Sequence, residues 1–223
     1  MRDTLLQIVR DFLRPRLKGG PVLLAYSGGG DSTALFHLVL KYREIYPLDL
    51  HVAHVDHGWR EESEREALLL KDACPVPFYL HRLKVDPMEK NLEDRCRNLR
   101  LAFFYEIYQM LGAEALLMAH HANDQAETVL KRIFEGGSLH GILPDRDIEG
   151  MRVLRPLLGV QKKELIAYLE KEGISYFTDP TNEDERFLRG KMRKSIIPLL
   201  EEHFGKGIVA PLCRLAERSQ PCD

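Results

Sequence analysis

The fold is decided by residues 22–32, VLLAYSGGGDS, where a short apolar run passes into three glycines flanked by serines and an aspartate. The apolar run predicts a buried strand over 22–26, and apolar side chains recur at helical spacing from Ser32 onward. A glycine-rich turn between a strand and a helix presents backbone N–H groups to an anion. Residues 27–32 are therefore predicted to bind phosphate. The alternative is an ordinary turn in which Asp31 or Ser32 caps the helix.

This loop differs from two other nucleotide-binding loops. No lysine follows its last glycine, as the GxxxxGKS/T loop requires, and its glycines lack the spacing of GxGxxG. The sequence therefore indicates a different class of phosphate-binding loop.

Outward from this loop, short apolar runs alternate with helical patterns. Strands are predicted over 22–26, 50–55, 78–83 and 115–119, and helices over 32–42, 61–73, 91–111 and 124–134. This alternation predicts an α/β fold with a parallel sheet and helices on both faces. After Gly136-Gly137 the pattern is irregular until helices at 161–172 and 187–203. The residues after 205–211 are expected to form only a short helical stub.

Composition limits the classes of function. The 223 residues are 44% hydrophobic and 30% charged, a balance typical of globular chains. No apolar run is long enough to span a membrane, so we expect a cytoplasmic protein with no membrane partner. The net charge of −2 disfavours a dedicated nucleic-acid-binding domain. The four cysteines form no CxxC pair, so neither a zinc ribbon nor an iron–sulfur motif can be drawn from them.

Polar segments follow two predicted strands, at the edge where ligands bind in open α/β sheets. Residues 54–60 read HVDHGWR, and residues 120–128 read HHANDQAET. Asp124 and Glu127 suit Mg²⁺ or a cationic amine, but their spacing is also close to that of a helix capping box. Other side chains in these segments could either contact a ligand or serve in structural packing, and the sequence does not decide between these roles: His54, His57, His120, His121 and Trp59.

The glycine-rich loop resembles that of the PP-loop, or N-type ATP pyrophosphatase, superfamily. Further segments match one of its families in order: NLEDRCRNLR at 91–100, RPLL at 155–158, DPTN at 179–182, then Phe187 and Arg193. Over about residues 20–200 the chain resembles the catalytic N-terminal domain of the tRNA(Ile)-lysidine synthetase family. Two positions depart from the family pattern, since Gly190 replaces an asparagine and Asn123 replaces the first of two aspartates.

The resemblance implies an adenine nucleotide alpha hydrolase-like, Rossmann-like fold. It implies a PP-loop ATP-binding α/β domain at 1–150 and a helical extension at 151–223 that completes the catalytic core. The family's C-terminal tRNA-binding domains are expected to lie outside this sequence.

The resemblance also implies an activity. ATP, with Mg²⁺, would adenylate the wobble cytidine of an isoleucine tRNA that carries a CAU anticodon, and pyrophosphate would leave. The side-chain amine of L-lysine would then displace AMP from C2 of the base. The resulting lysidine changes codon recognition from AUG to AUA.

By the same resemblance, each functional group has candidate residues. ATP would bind Ser27, Gly28, Gly29, Gly30, Asp31 and Ser32, and Asp31 is also the candidate Mg²⁺ ligand. The candidate catalytic residues are Asp31, Asp124, Glu127 and Arg97. Lysine and tRNA would contact Asp124, Glu127, Arg97, Arg100, Arg189 and Arg193. The basic run 186–194 is the candidate anticodon surface, although charge alone favours a solvated helix face.

Two other functions are open. A tRNA thiolation enzyme of the same superfamily is expected to carry paired CxxC motifs, and none occurs. A non-catalytic ATP- or RNA-binding module would not need the carboxylates of Asp31, Asp124 and Glu127. The oligomeric state is also open, with a homodimer as one option.

Overall fold

The structure is a computed structural model that describes residues 4–58, 61–83, 92–178 and 188–219. Within these ranges the strands are β1 Pro21–Ala25, β2 Asp49–Asp56, β3 Phe78–Arg82, β4 Ala115–Leu117, β5 Asp145–Ile148 and β6 Met151–Leu154. The helices are α1 Thr4–Leu13, α2 Gly30–Ile45, α3 Glu61–Ala73, α4 Leu92–Leu111, α5 Ala122–Phe134, α6 Lys162–Glu172, α7 Leu188–Lys191, α8 Ile197–Phe204 and α9 Val209–Arg218. A π-helical turn, Met192–Ile196, joins α7 to α8.

The strands form one sheet in the order β3-β2-β1-β4-β6-β5, and neighbouring strands are parallel except for β5 with β6. β1 pairs on both sides, with Val22 opposite Leu50 of β2 and Ala115 of β4. After β3 the chain crosses to the other side of β1. This switch opens a crevice between the carboxyl ends of β1 and β4. The predicted α/β fold is confirmed.

Alternate side chains of the strands pack in two separate cores. Leu23 and Leu116 belong to the core that contains Phe104 of α4. Their neighbours Leu24 and Leu117 belong to the opposite core, which α1, α2 and α6 help to form. Burying a leucine side chain contributes about 1.5–3 kcal/mol, so both helix layers stabilise the central strands. Helices therefore cover both faces of the sheet, as predicted.

The prediction of an irregular segment after residue 137 is wrong, because β5 and β6 form a hairpin there. Glu149 and Gly150 close its turn with φ angles of 52° and 82°. Each strand has four residues, and β5 reads DRDI, so β5 lacks the apolar run that predicts a strand. β6 pairs with β4, and the sheet therefore continues past the expected domain boundary at residue 150.

The C-terminal residues form more structure than a stub. Val209 and Ala216 of α9 are buried, and Val209 packs against Ala122 and Ala126 of α5. None of the helices within the described ranges is both long and apolar enough to cross a bilayer.

Candidate active site at the carboxyl edge of the sheet

The glycine-rich loop leads directly from β1 into α2. Gly29 precedes the helix in an extended conformation, and no side chain caps the helix N-terminus, so the capped-turn alternative is wrong. The first N–H groups of α2 are therefore oriented to bind an anion. The Ser32 hydroxyl donates to the Gly29 carbonyl at 3.0 Å and lies 2.9 Å from Ser27 Oγ. These bonds hold the loop in one conformation.

Two adjacent glycines of the loop have opposite surroundings. Gly28 has a φ of 79°, and a Cβ there would lie 2.6 Å from Leu70 Cδ1. A Cβ on Gly29 would meet only Ser27 Oγ, at 3.4 Å. The Phe177 N–H donates to the Gly28 carbonyl at 2.9 Å, which ties the loop to the segment after α6. Gly28 is therefore required by packing, whereas Gly29 borders open space.

α5 begins at the carboxyl end of β4 with His121 as its N-cap. His121 Nδ1 accepts the Asp124 N–H at 3.4 Å, and Asp124 Oδ2 accepts the His121 N–H at 3.0 Å. This reciprocal pair is a capping box. The predicted alternative, a box between Asp124 and Glu127, is wrong because the helix starts earlier than predicted. Glu127 takes no part in the cap.

His121 also connects α5 to the glycine-rich loop. Its Nε2 lies 3.3 Å from Asp31 Oδ2, and Lys162 Nζ lies 4.0 Å from the same oxygen. Burial opposes ionisation of Asp31, but the bond to His121 and nearby positive charges lower the pKa of this carboxyl. Burial also opposes charging of His121, yet Asp31 and Asp124 raise its pKa. Both shifts favour opposite charges on Asp31 and His121.

Arg193, in the π-helical turn, bridges the two carboxylates of α5. Its Nε and Nη2 bind the two carboxylate oxygens of Glu127, and Nη2 also donates to Asp124 Oδ1 at 3.1 Å. Burial raises the pKa of Glu127, and Arg193 only partly offsets the rise. Glu127 is 2% exposed, so its carboxylate is shielded from water, whereas Arg193 is half-buried. An arginine therefore occupies the position that a cationic ligand of these carboxylates would take.

Two more histidines lie at this edge of the sheet. His54 Nδ1 lies 2.7 Å from the Tyr26 carbonyl oxygen, and burial lowers the pKa of His54. His120 Nδ1 lies 3.2 Å from Arg155 Nε. Burial, together with nearby arginines, lowers the pKa of His120 to about 4 despite the opposing charge of Asp124. Both imidazoles are therefore neutral at pH 7.

A cleft of about 320 Å³ lies over the carboxyl ends of β1, β2 and β4. Its polar lining residues are Ser27, Asp31, Ser32, His54, Asp56, His57, Ser63, Glu66, Arg100 and His120. The volume falls in the range of small-molecule sites, which reach about 300–1,000 Å³. The phosphate-binding loop therefore forms one wall of a cavity large enough for an organic ligand.

The arginines predicted on α4 and in the basic run differ in position. Arg100 lines the cleft, whereas Arg97 is exposed on the same helix. Arg189 is exposed, while Arg193 is half-buried against the carboxylates. The DPTN motif at 179–182, Arg186, Phe187 and Trp59 lie outside the described residues. The structure thus brings Arg100 and Arg193 to the site, while Arg97 and Arg189 are exposed and the charge of Arg189 still acts on His120 and Glu127.

Three residues of the site were not predicted to contact it. His121 and Lys162 approach Asp31, and Arg155 binds His120. The sequence identifies Arg155 only as part of the RPLL motif, and the motif does not predict that this arginine is buried. The sequence gives no N-cap signal at His121, because the preferred residues at that position are Ser, Thr, Asp and Asn.

Comparisons with known proteins agree with this geometry. The PP-loop domain family matches residues 2–200. A tRNA(Ile)-lysidine synthase of Chlamydia pneumoniae is 48% identical over 204 residues, which are 88% of this chain and 63% of that relative. A tRNA(Ile)-lysidine synthase of Protochlamydia amoebophila is 45% identical over 217 residues, covering 93% and 47% respectively. The chain thus spans about half to three fifths of the length of these relatives.

Solved structures share the fold. A U34-tRNA thiolase of Methanococcus maripaludis superposes with a TM-score of 0.79 at 19% identity, over 96% of this chain and 77% of the thiolase. An ammonia-dependent NAD synthetase of Campylobacter jejuni superposes with a TM-score of 0.55 at 13% identity, over 99% and 96%. Because the family match covers most of the sequence, and the loop and sheet have the arrangement described above, the chain belongs to the PP-loop domain family.

Proposed function

We propose that this chain is the catalytic part of a tRNA(Ile)-lysidine synthetase, which uses ATP to join L-lysine to C2 of a wobble cytidine. The observation that carries the proposal is the continuous chain of contacts from Asp31 through His121, Asp124 and Arg193 to Glu127. It joins a phosphate-binding loop to two carboxylates, of which Glu127 is buried and Asp124 is half-buried. The curated relatives named tRNA(Ile)-lysidine synthase support the choice of substrate.

The loop provides the groups that the first step requires. The C2 carbonyl oxygen of cytidine attacks the α-phosphorus of ATP, the bond to the β-phosphate oxygen breaks, and pyrophosphate leaves. Charge then develops on the leaving group, and fixed N–H donors stabilise such charge without reorganising. The uncapped N-terminus of α2 offers these donors, and the hydroxyls of Ser27 and Ser32 hold the loop in place through their own hydrogen bonds.

Asp31 is the residue that fits a Mg²⁺ ion. Its Oδ1 is buried and accepts no hydrogen bond from the described residues, and its pKa is lowered, so it is ionised at pH 7. The described residues contain no group of three or more His, Cys, Asp or Glu side chains that could hold a metal. Phosphate oxygens would therefore complete the coordination. When bound, Mg²⁺ neutralises charge on the phosphates.

Asp124 and Glu127 provide the site for the amine. In the second step the ε-amine of lysine attacks C2, the bond from C2 to the AMP oxygen breaks, and the nitrogen loses a proton. Two neighbouring carboxylates with little exposure to water favour an ammonium ligand. Since Arg193 already binds both carboxylates, the incoming amine either shares them with this guanidinium or displaces it.

The arginines outside the carboxylate cluster suit the tRNA. Arg100 lines the cleft. Arg97 and Arg189 are exposed, and they lie three and four residues before Arg100 and Arg193 in the sequence. Exposed guanidinium groups bind phosphates with little desolvation, and such contacts dominate RNA affinity. The target base must also leave its stack before it reaches ATP. We assign Arg97 and Arg189 to tRNA phosphates and Arg100 to the bound substrates.

Thiolation is the weaker alternative. The likeness to the thiolase concerns the fold, because identity is 19%. Cys74, Cys96 and Cys213 lie in three different apolar clusters. A cluster-dependent thiolation site needs cysteines that meet. The described cysteines do not provide one.

The direct test supplies the protein with ATP, Mg²⁺ and an isoleucine tRNA bearing a CAU anticodon, with and without lysine. Pyrophosphate release is measured, and the wobble nucleoside is identified by mass. We expect release to depend on tRNA, and a lysine-modified cytidine to appear only with lysine. Asp124→Asn should lower lysidine formation at least about tenfold while retaining pyrophosphate release, since the first step does not need the amine site.

Asp11→Asn is the matched control, because Asp11 is exposed on α1 and pairs only with its neighbour Arg10 among the described residues. It should leave both steps unchanged. ATP binding without any change to the base, in this chain and in a full-length relative alike, would contradict the proposal. Sulfur in the product would instead establish thiolation.

A further inference from the structure

The side chain of Arg155 is fixed at two points directly after β6. Its Nη1 donates to the Leu143 carbonyl at 2.7 Å, and its Nε donates to His120 Nδ1 at 3.2 Å. Its backbone N–H donates to the Pro144 carbonyl at 2.9 Å. Arg155 is 5% exposed. A guanidinium held in this way has little freedom to turn away from His120.

The chemistry of this contact determines where the His120 proton lies. A guanidinium has donors only, so the ring nitrogen that it meets must be the acceptor. A neutral imidazole with a lone pair on Nδ1 carries its proton on Nε2. His120 lines the cleft, and Arg155 already uses Nδ1. Nε2 is therefore the ring nitrogen that remains for a ligand.

We propose that Arg155 is a positioning residue that fixes His120 in its Nε2–H tautomer, so that His120 offers a hydrogen-bond donor to a ligand in the cleft. The partner of this donor is an oxygen, either of a phosphate or of a carbonyl. His120 then acts as a neutral donor and does not act as a base. The choice of oxygen rests on the proposed function, whereas the tautomer does not.

The charges around His120 maintain this state. The groups that act on its ring are the carboxylate of Asp124 and the guanidinium groups of Arg155, Arg189 and Arg100. Burial, together with three cations against one anion, disfavours protonation and keeps the pKa of His120 at about 4. Protonation would also put a hydrogen on Nδ1, directly opposite the Arg155 donor. The arrangement therefore resists a positively charged His120 throughout the neutral range.

A neutral donor suits a step in which negative charge appears on oxygen. An imidazolium would bind ground-state phosphates as well as the transition state, whereas an oriented N–H donor contributes most where charge develops. Under the proposed function that charge develops as pyrophosphate leaves. The hydrogen-bond donors that line the cleft would then include both His120 and the N-terminus of α2.

The decisive measurement is the tautomer itself. Long-range ¹⁵N–¹H correlation spectra of the whole protein, labelled at its nine histidines, report the proton on each ring nitrogen. His120→Gln identifies the signals of His120. We expect the Nε2–H form at pH 7 and no titration of His120 above about pH 5. An Nδ1–H form, or protonation near pH 6.5, would overturn the proposal.

Two substitutions test the role of Arg155. Arg155→Met removes the donor, so Nδ1–H should appear in the His120 spectrum, and ATP-dependent pyrophosphate release should fall about tenfold to a hundredfold. Arg155→Lys retains a donor and should restore the Nε2–H signal and most of the activity. Arg152→Met is the control, since Arg152 pairs with Asp145 on β5. It should leave the His120 signals unchanged.

The possible failures are distinguishable. If Arg155→Met does not fold, the wild-type spectrum and the lysine variant still decide the tautomer. If the spectrum shows Nε2–H but no tRNA-dependent pyrophosphate is formed, the proposed function fails and the positioning role stands. If Arg155→Met keeps the Nε2–H form in a folded protein, Arg155 does not position His120.

Discussion

The guanidinium of Arg193 binds both carboxylate oxygens of Glu127, although the two residues are 66 positions apart in the chain. Glu127 is almost fully buried and its pKa is raised by that burial. Removing the arginine would leave a buried carboxylate without a counter-charge, which destabilises the folded state more than replacing both residues by apolar ones. The contact therefore joins the C-terminal helices to α5.

Arg193→Met should lower the free energy of unfolding by about 2–4 kcal/mol at pH 7. Because the folded-state pKa of Glu127 lies above its unfolded value, the folded state binds more protons, and stability rises as pH falls. The loss should therefore shrink between pH 7 and pH 5. Urea unfolding at several pH values measures it. Arg10→Met, at the exposed pair with Asp11, should cost no more than about 1 kcal/mol.

His121 combines two roles that substitution can separate. Asparagine is a good N-cap, so His121→Asn should retain the start of α5 but lose the contact with Asp31. His121→Ala loses both and should be less stable than the asparagine variant by about 1 kcal/mol. Circular dichroism during urea unfolding provides the comparison. Equal stability of the two variants would show that the cap contributes nothing.

The pair of Asp31 and His121 should also set a pH window for stability. The Asp31 pKa is lowered, so its contribution is present above its unfolded value of 3.8 and is lost as pH falls. The His121 pKa is raised, so its contribution is present below 6.5 and is lost as pH rises through the folded-state pKa. Stability from this pair should therefore be greatest between about pH 4 and 6.5, and both His121 variants should flatten the profile.

The two loop glycines should respond differently to alanine. Gly28→Ala places a Cβ in a left-handed conformation and against Leu70, so we expect a loss of about 1–3 kcal/mol. Gly29→Ala has an extended backbone and open space, so stability should stay within about 0.5 kcal/mol. Calorimetric titration with ATP should show weaker binding in Gly29→Ala if the open space holds phosphate. Unchanged affinity would place the phosphates elsewhere.

Glu114 provides a test away from the site. Its carboxylate accepts the N–H groups of Lys18, Gly19 and Gly20 at 2.7–3.0 Å, which fixes the entry to β1. Glu114→Ala should cost about 1–3 kcal/mol, because three backbone donors lose their acceptor. Glu44→Ala, at an exposed position on α2, should have little effect. Thermal unfolding of the two variants in parallel makes the comparison.

Much of the fold could be predicted from local patterns. The glycine-rich loop and the apolar strands predict a phosphate-binding α/β sheet, because the conformation of each is set by residues that are close in sequence. β5 could not be predicted, since DRDI has no apolar alternation and is held by pairing with β6. Its strand character comes from a partner that no short window contains.

The candidate site also has parts that the sequence predicts and parts that it does not. Asp31, Asp124 and Glu127 stand in recognisable motifs, and the structure places them in one connected cluster. Arg193 was a candidate site residue, but its pairing with Asp124 and Glu127 could not be predicted, because it comes from a distant part of the chain. The capping box was also displaced by one turn, since histidine is an unusual N-cap and the sequence favoured Asp124.

The π-helical turn sets the rotational phase of the C-terminal helices. Met192 and Ile197 are five residues apart, which in an α-helix would place them about 140° apart around the axis. Here the Ile197 N–H donates to the Met192 carbonyl, and both side chains reach the same apolar cluster. The wider turn contains one residue more than an α-helical turn, so α8 begins at a different rotation about the helix axis. Shortening it by one residue would swing Arg193 about 100° relative to α8 and carry its charge away from Glu127.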